Sequence, residues 1–287
     1  MSEGKPNHSE TGYSYQNPLV AIGTTDTQVE VANDYVMVNG TESSVSVTVG
    51  IYGLTCQVGG LTGSIYEGDI KNCHYSSGSI KAYTDNYKCT VGGVSGNLRG
   101  GEMFGCSNSS PLEAKTERWG SKIGGVCGYS DLSAKLAACY NTGDLTISAG
   151  TKEYSVGGIL GNAYRISLIG CYSSGNIINN VPSATYSYQG GIAGKFSYTL
   201  NSGFANQCWY VGNSDWGTDG MGDPSYTSTA ITNCGRVADI AALSSKVSGM
   251  NTALKAYNDT TAVDKKCLFS FVNNGSRLPT LQKAATN

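Results

Sequence analysis

Five copies of an apolar-or-Gln-Gly-Gly-x-x-Gly motif begin at residues 58, 91, 123, 156 and 189, so successive copies lie 33, 32, 33 and 33 residues apart. The glycines are Gly59-Gly60 with Gly63, Gly92-Gly93 with Gly96, Gly124-Gly125 with Gly128, Gly157-Gly158 with Gly161, and Gly190-Gly191 with Gly194. A period of this length means a stacked architecture in which each copy buries its apolar face against its neighbours. The glycines are therefore read as architecture before they are read as a functional motif.

A second half recurs in each copy. An apolar-x-x-Cys step runs from Ile70 to Cys73, Met103 to Cys106, Leu136 to Cys139 and Leu168 to Cys171. A turn and a new extended run follow, as in Gly143-Asp144-Leu145-Thr146-Ile147; the second copy has Ser109-Ser110-Pro111 where the turn glycine belongs. The intervening segments are short, β-branched and punctuated by Gly, Ser and Asn, which favours strands over helices. The fold class expected is all-β: a β-solenoid, or parallel β-helix, with coils of about 33 residues and three short strands per coil. Two shorter coils per copy stay open, because the glycine and cysteine halves are well separated.

The ends differ from the repeat. Residues 1–17 are polar and read as a disordered tail, or as the start of a mature chain after removal of an export signal. Residues 18–57 alternate in the β manner, with a turn at Asn39-Gly40, and read as an N-terminal β cap. The solenoid spans 58–235. In 236–287, Ile240, Leu243, Val247, Met250 and Leu254 recur at helical spacing, interrupted by Gly249. A terminal strand over 269–281 completes a C-terminal helix-plus-strand cap. Caps are expected because open solenoid ends pair with other strands.

Composition narrows the function. Charged residues make up 14% of the chain, against about a quarter in ordinary domains, and Tyr 19 outnumbers Phe 5, which suits a polar β-rich extracellular surface. A net charge of −2 with no Lys/Arg stripe excludes a nucleic-acid partner. No apolar run approaches the roughly 18 residues of a transmembrane segment.

The paired signals, Val156-Gly-Gly-Ile-Leu-Gly161 followed by Ile169-Gly-Cys-Tyr-Ser-Ser-Gly175, resemble the GLUG repeat of bacterial surface proteins. The resemblance covers roughly 58–216. It implies an exported, adhesin-like protein of the bacterial outer cell surface, of the Bacteroides type and lipid-anchored in its precursor. It implies a β-helical stalk or platform and carries no catalytic residues.

Candidate chemistry is sparse. Cys73, Cys106, Cys139 and Cys171 share one repeat position, Cys56 and Cys89 another, and the absence of a CxxC pair disfavours structural zinc. Buried free thiols are expected, with disulfides between coils the alternative. Gly-Gly-x-x-Gly lacks the P-loop lysine, so nucleotide binding is not expected. His74 has no triad partners around it, and Asp69, Asp131 and Asp144 fall at scattered repeat positions, with no acidic pair visible.

The period breaks at 206–226, where Trp209, Tyr210 and Trp216 stand among Asp215, Asp219 and Asp223. Aromatic faces stack on sugar rings and carboxylates accept from hydroxyls, so this loop, with an exposed solenoid face, is the candidate glycan or partner-protein contact. Weighed above it is a structural excursion with Trp209 packed at the core edge and the aspartates in turns, and a third reading is a Ca²⁺ site. Otherwise no cofactor is expected. Arg99 and Arg165, near matching coil positions, could line a second face with Tyr66 and Tyr198. The function expected is non-enzymatic adhesion, the alternatives being a carbohydrate-active β-helix enzyme, which needs two converging carboxylates, and a purely structural stalk.

Overall fold

The computed structural model describes residues 56–84, 88–117, 120–148, 153–181, 186–197, 203–213, 215–217, 219–223 and 230–283, with the side chains of 186 and 197 excepted. Of the N-terminal part it describes the backbone of the strands at 7–8, 14–15, 28–32, 35–39, 42–43 and 47–51.

The chain winds into about four coils of about 33 residues. Each coil contributes five short strands to five parallel sheets, rather than the three expected. In the second coil these faces are, in order, Cys89–Gly92, Ser95–Arg99, Glu102–Phe104, Ser107–Asn108 and Leu112–Thr116. Register is uniform: Val58, Val91, Ile123, Val156 and Gln189 stack in one column of the first face. Tyr35–Asn39, Glu42–Ser43 and Val47–Ile51 pair in parallel with the first full coil on the third, fourth and fifth faces. Gln28–Ala32 folds antiparallel onto Tyr35–Asn39. Within the segment read as a tail, Asn7–His8 pairs with Ser14–Tyr15.

The glycines hold the first two faces close together. A Cβ on Gly92 would meet the Ser95 carbonyl at 2.0 Å and Gly128 N at 2.7 Å, and one on Gly96 would meet Val58 N at 2.6 Å. The second glycine of each copy receives a side chain from the fourth face. Tyr75 fills the space beside Gly60, Asn108 beside Gly93, Asn141 beside Gly125, Ser173 beside Gly158 and Tyr210 beside Gly191. The three polar members form a buried ladder. Asn108 Nδ2 donates to Asn141 Oδ1 at 2.7 Å and Asn141 Nδ2 donates to Gly143 O at 2.9 Å and to Ser173 Oγ at 3.4 Å. Such stacked amides satisfy each other along the coil axis. Ser110 takes the place of the missing turn glycine, its N–H donating to Asn108 Oδ1 as that of Gly143 does to Asn141 Oδ1.

Every cysteine of the main file follows a residue in the left-handed region: Asn72, Gly105, Ala138, Gly170, Gln207 and Asn233 have φ between 49° and 63°. This corner turns the chain from the third face to the fourth.

The helical segment splits into α1, Ile240–Ser245, and α2, Val247–Asp259, at Lys246 rather than at Gly249. Asp239 caps α1, its side chain accepting from Ala242 N at 2.8 Å. Gly249 lies within α2, where a Cβ would meet Gln207 Oε1 at 2.7 Å. The terminal strand is a hairpin, Phe269–Val272 against Thr280–Lys283. Helices and hairpin do not close an end of the solenoid. They lie along its flank, burying Leu243, Val247, Met250, Leu254, Phe269 and Phe271 against Phe104, Ala137, Ala138, Ile169 and Tyr172.

The end is closed instead by the aspartate- and tryptophan-rich excursion. Gly191 N donates to Trp216 O, and Ile192 N and Ala193 N both donate to Gly220 O, at 3.0, 2.8 and 3.0 Å. Those edge amides would otherwise be open to another chain.

Candidate functional site

This capping role decides the fate of the residues expected to bind. Trp216 is 7% exposed and Tyr210 1%, both in the main core, with Tyr210 Oη donating to Gly217 O at 2.9 Å. Trp209 is half-buried: its Nε1 donates to Gln207 Oε1 at 3.1 Å, and Lys246 Nζ sits 4.4 Å from its ring centroid. Asp223 is buried, Asp219 half-buried and Asp215 exposed. Among the described residues, the rings of Tyr210 and Trp216 are spent on the core, and Trp209 lies against Lys246 at the junction of the helices. Among the described residues no group of three or more His, Cys, Asp or Glu is arranged to hold a metal ion.

The second face carries the better-formed surface. Tyr66, Arg99 and Asp131 stack in one register column, with Tyr164 at the same position of the next coil. Ser64, Asn97, Tyr129, Asn162 and Lys195 stack in the column beside it. Residues two apart in a strand share a side of the sheet, so the two columns form one strip. Arg99 Cζ lies 5.9 Å from the Tyr66 ring centroid, and Arg99 Nε donates to both Asp131 oxygens at 3.1 and 3.2 Å. Tyr129 Oη donates to Asp131 Oδ2 at 3.2 Å. Tyr66 is 58% exposed, and Tyr129 and Tyr164 are half-buried. Arg165 is not in the Arg99 column: it stands one residue past Tyr164, with φ +56° and its guanidinium 5.0 Å from the Tyr164 ring. Tyr198 lies outside the described residues.

Two groups of the strip hold their protons more tightly than usual. Burial, and then the Asp131 carboxylate, push the Tyr129 hydroxyl up to about 12, so it remains a donor. The Asp131 hydrogen bond raises Arg99 further. Lys122 reaches in from the first face, its Nζ 3.9 Å from the Tyr129 ring centroid. Burial and then the Lys88 charge lower its pKa to about 8. The folded chain thus binds this proton more weakly than the unfolded chain does. The resulting penalty is fully present below pH 8 and disappears as pH rises through the unfolded value of about 10.4. Lys122→Met is expected to raise stability at pH 7 by on the order of 1–3 kcal/mol, measured by urea unfolding. That gain should shrink between pH 8 and pH 10; a gain that stays constant would contradict this reading.

Two carboxylates do converge: Asp69, one of the aspartates read as scattered, and Glu102. Asp69 and Glu102 occupy the same coil position, and Glu102 N donates to Asp69 Oδ1 at 3.1 Å. Both are buried beneath three lysines. Lys71 and Lys265 reach Asp69 Oδ2 at 3.2 and 3.3 Å, and Lys135 reaches Glu102 Oε1 at 3.3 Å. Burial and then the Asp69 charge raise the Glu102 pKa. Lys265 comes from the C-terminal segment, so the pair anchors that segment to the solenoid. Alignment of acidic positions alone misses it, because one member is Asp and the other Glu.

All ten cysteines are free thiols, buried except for the half-exposed Cys234. The His74 ring shares hydrogen bonds with Ser107 Oγ at 2.8 Å and Asn72 Oδ1 at 3.3 Å. No family model and no curated protein matches the chain.

Proposed function

We propose that the chain is a non-enzymatic binding module of a bacterial outer surface, adhesin-like as the GLUG resemblance implies, which grips a glycan along the second face. The observation that carries this reading is the in-register strip of Tyr66, Arg99, Tyr129, Asp131 and Tyr164 on a rigid parallel sheet. Tyrosine rings offer apolar faces for stacking on sugar rings. The Arg99–Asp131 pair supplies donors and acceptors for hydroxyls. From Tyr66 to Tyr164 the strip spans three rungs, about 14 Å, the scale of a short oligosaccharide. The sheet holds these groups in place without ligand, which lowers the entropy cost of binding. Among the described residues no helix is long and apolar enough to cross a membrane; a lipid anchor in the precursor is what the GLUG resemblance implies.

A carbohydrate-active enzyme is the second reading, on the strength of the Asp69–Glu102 pair. Both carboxylates are 3–4% exposed and covered by Lys71, Lys135 and Lys265, which favours the anchoring role.

A glycan array probed with the wild-type chain and with Arg99→Ala and Tyr164→Ala tests the proposal. Each variant is expected to bind the retained glycans about tenfold more weakly, roughly 1.4 kcal/mol, with unchanged thermal stability. Retention of no glycan, or binding indifferent to both substitutions, would remove the strip as the site and leave a partner protein or a structural stalk.

A further inference from the structure

The cysteine file ends in a pair unlike the rest. Cys73, Cys106, Cys139, Cys171, Cys208 and Cys234 each precede a rung of the fourth face, and the register of the following residues, His74 through Gly235, stacks them one above another. Adjacent rungs are about 4.8 Å apart, inside the Cα separation of about 4.4–6.8 Å that a disulfide spans. In a flat ladder, side chains would run parallel and could not turn toward each other. Here, as at every cysteine of the file, a left-handed corner residue precedes each thiol, Gln207 with φ 54° and Asn233 with φ 49°; what sets this pair apart is the exposure of Cys234 at the end of the file. The last two are in contact, Cys208 N donating to Cys234 Sγ at 3.4 Å. Cys234 alone among the ten is not buried. Past Val211 the chain leaves the ladder for the capping excursion. It returns to the third and fourth faces through the short strands Ile231–Thr232 and Gly235–Val237.

We propose that Cys208 and Cys234 form an oxidation site, in which an external low-molecular-weight disulfide closes a bridge that locks the final rung and the capping excursion to the rung of Trp209–Val211. The Cys234 thiol loses its proton and its sulfur attacks one sulfur of the external disulfide, forming a mixed disulfide and releasing one thiol. The deprotonated Cys208 sulfur then attacks Cys234 Sγ, forming the Cys208–Cys234 bond and expelling the second thiol. Two protein thiols are oxidised, one external disulfide is reduced to two thiols, and no metal is required. Cys234 attacks first because it is reachable, whereas burial raises the Cys208 thiol. The four inner thiols stay reduced because no reagent reaches them. The site stands on the thiol file alone and does not depend on glycan binding.

The test is incubation of the full chain with oxidised glutathione, followed by alkylation and peptide mapping. The wild type is expected to yield a linked Cys208–Cys234 peptide and eight alkylated cysteines. Cys208→Ser is expected to halt at the first step, with one glutathionyl group on Cys234, and Cys234→Ser should give neither product. Mapping of the wild type decides the matter if a variant fails to fold. Ten alkylated cysteines, or bridges forming first between inner members such as Cys106 and Cys139, would overturn the proposal.

Discussion

Gly125→Ala is expected to destroy cooperative folding of the solenoid, with a loss of at least about 4 kcal/mol. The added Cβ would lie 2.2 Å from Gly158 O and 2.3 Å from Asn141 Cγ. Neither neighbour can give way. The Gly158 carbonyl belongs to the backbone of the next coil, and Asn141 is fixed by its hydrogen bonds to Asn108, Gly143 and Ser173. Separating the first and fourth faces at one level breaks stacking at the levels above and below, because each coil is stabilised mainly by its neighbours. Gly275→Ala is the control. Nothing lies within 4 Å of its Cβ position, and only its φ of +67° is unfavourable, so the expected cost is about 1 kcal/mol. Guanidinium unfolding of both variants checks the contrast, and equal losses would contradict the close-approach reading.

Tyr172→Ala is expected to detach the C-terminal segment while leaving the coils folded. The Tyr172 ring is fully buried, stacked on Tyr140 at 5.1 Å and packed against Phe271 at 5.3 Å, and its hydroxyl donates to Pro279 O at 2.6 Å. Removing a buried ring of this size costs about 3–5 kcal/mol, and here that loss falls on one interface. Limited proteolysis should cut within 240–283 at a greatly increased rate. Tyr172→Phe keeps the ring and loses one hydrogen bond, so it should cost only about 1–2 kcal/mol and leave the segment docked. Cleavage within the coils first, or no change in cleavage, would show that the flank is not where this segment is held.

The coil length was legible because glycine at a close approach is required on every rung, so the constraint repeats with the period. The number of faces was not. His74–Tyr75 and Ser107–Asn108 are strands of two residues, too short to show any alternation. The flank docking left a trace that went unread. Met103-Phe104, Leu136-Ala137 and Leu168-Ile169 are consecutive buried pairs, the pattern of strands covered on both sides.

The proposed binding strip was half legible. Tyr66 and Arg99 stood in the sequence at coil spacing, but Asp131 and Tyr129 joined them only once the register was fixed. The segment 206–226 left a contact loop and a structural excursion open together, because composition cannot distinguish a tryptophan that faces solvent from one that fills the end of a core. Its informative feature is the carbonyls of Trp216 and Gly220, which sequence does not display.

Hydroxyl-radical footprinting of the aromatic side chains, with and without an oligosaccharide retained on the array, tests most directly where the chain binds. Bound ligand should slow oxidation of Tyr66, Tyr129 and Tyr164 together and leave Trp209 unchanged. Protection of Trp209 with none on the three tyrosines would return the site to the excursion and contradict the strip.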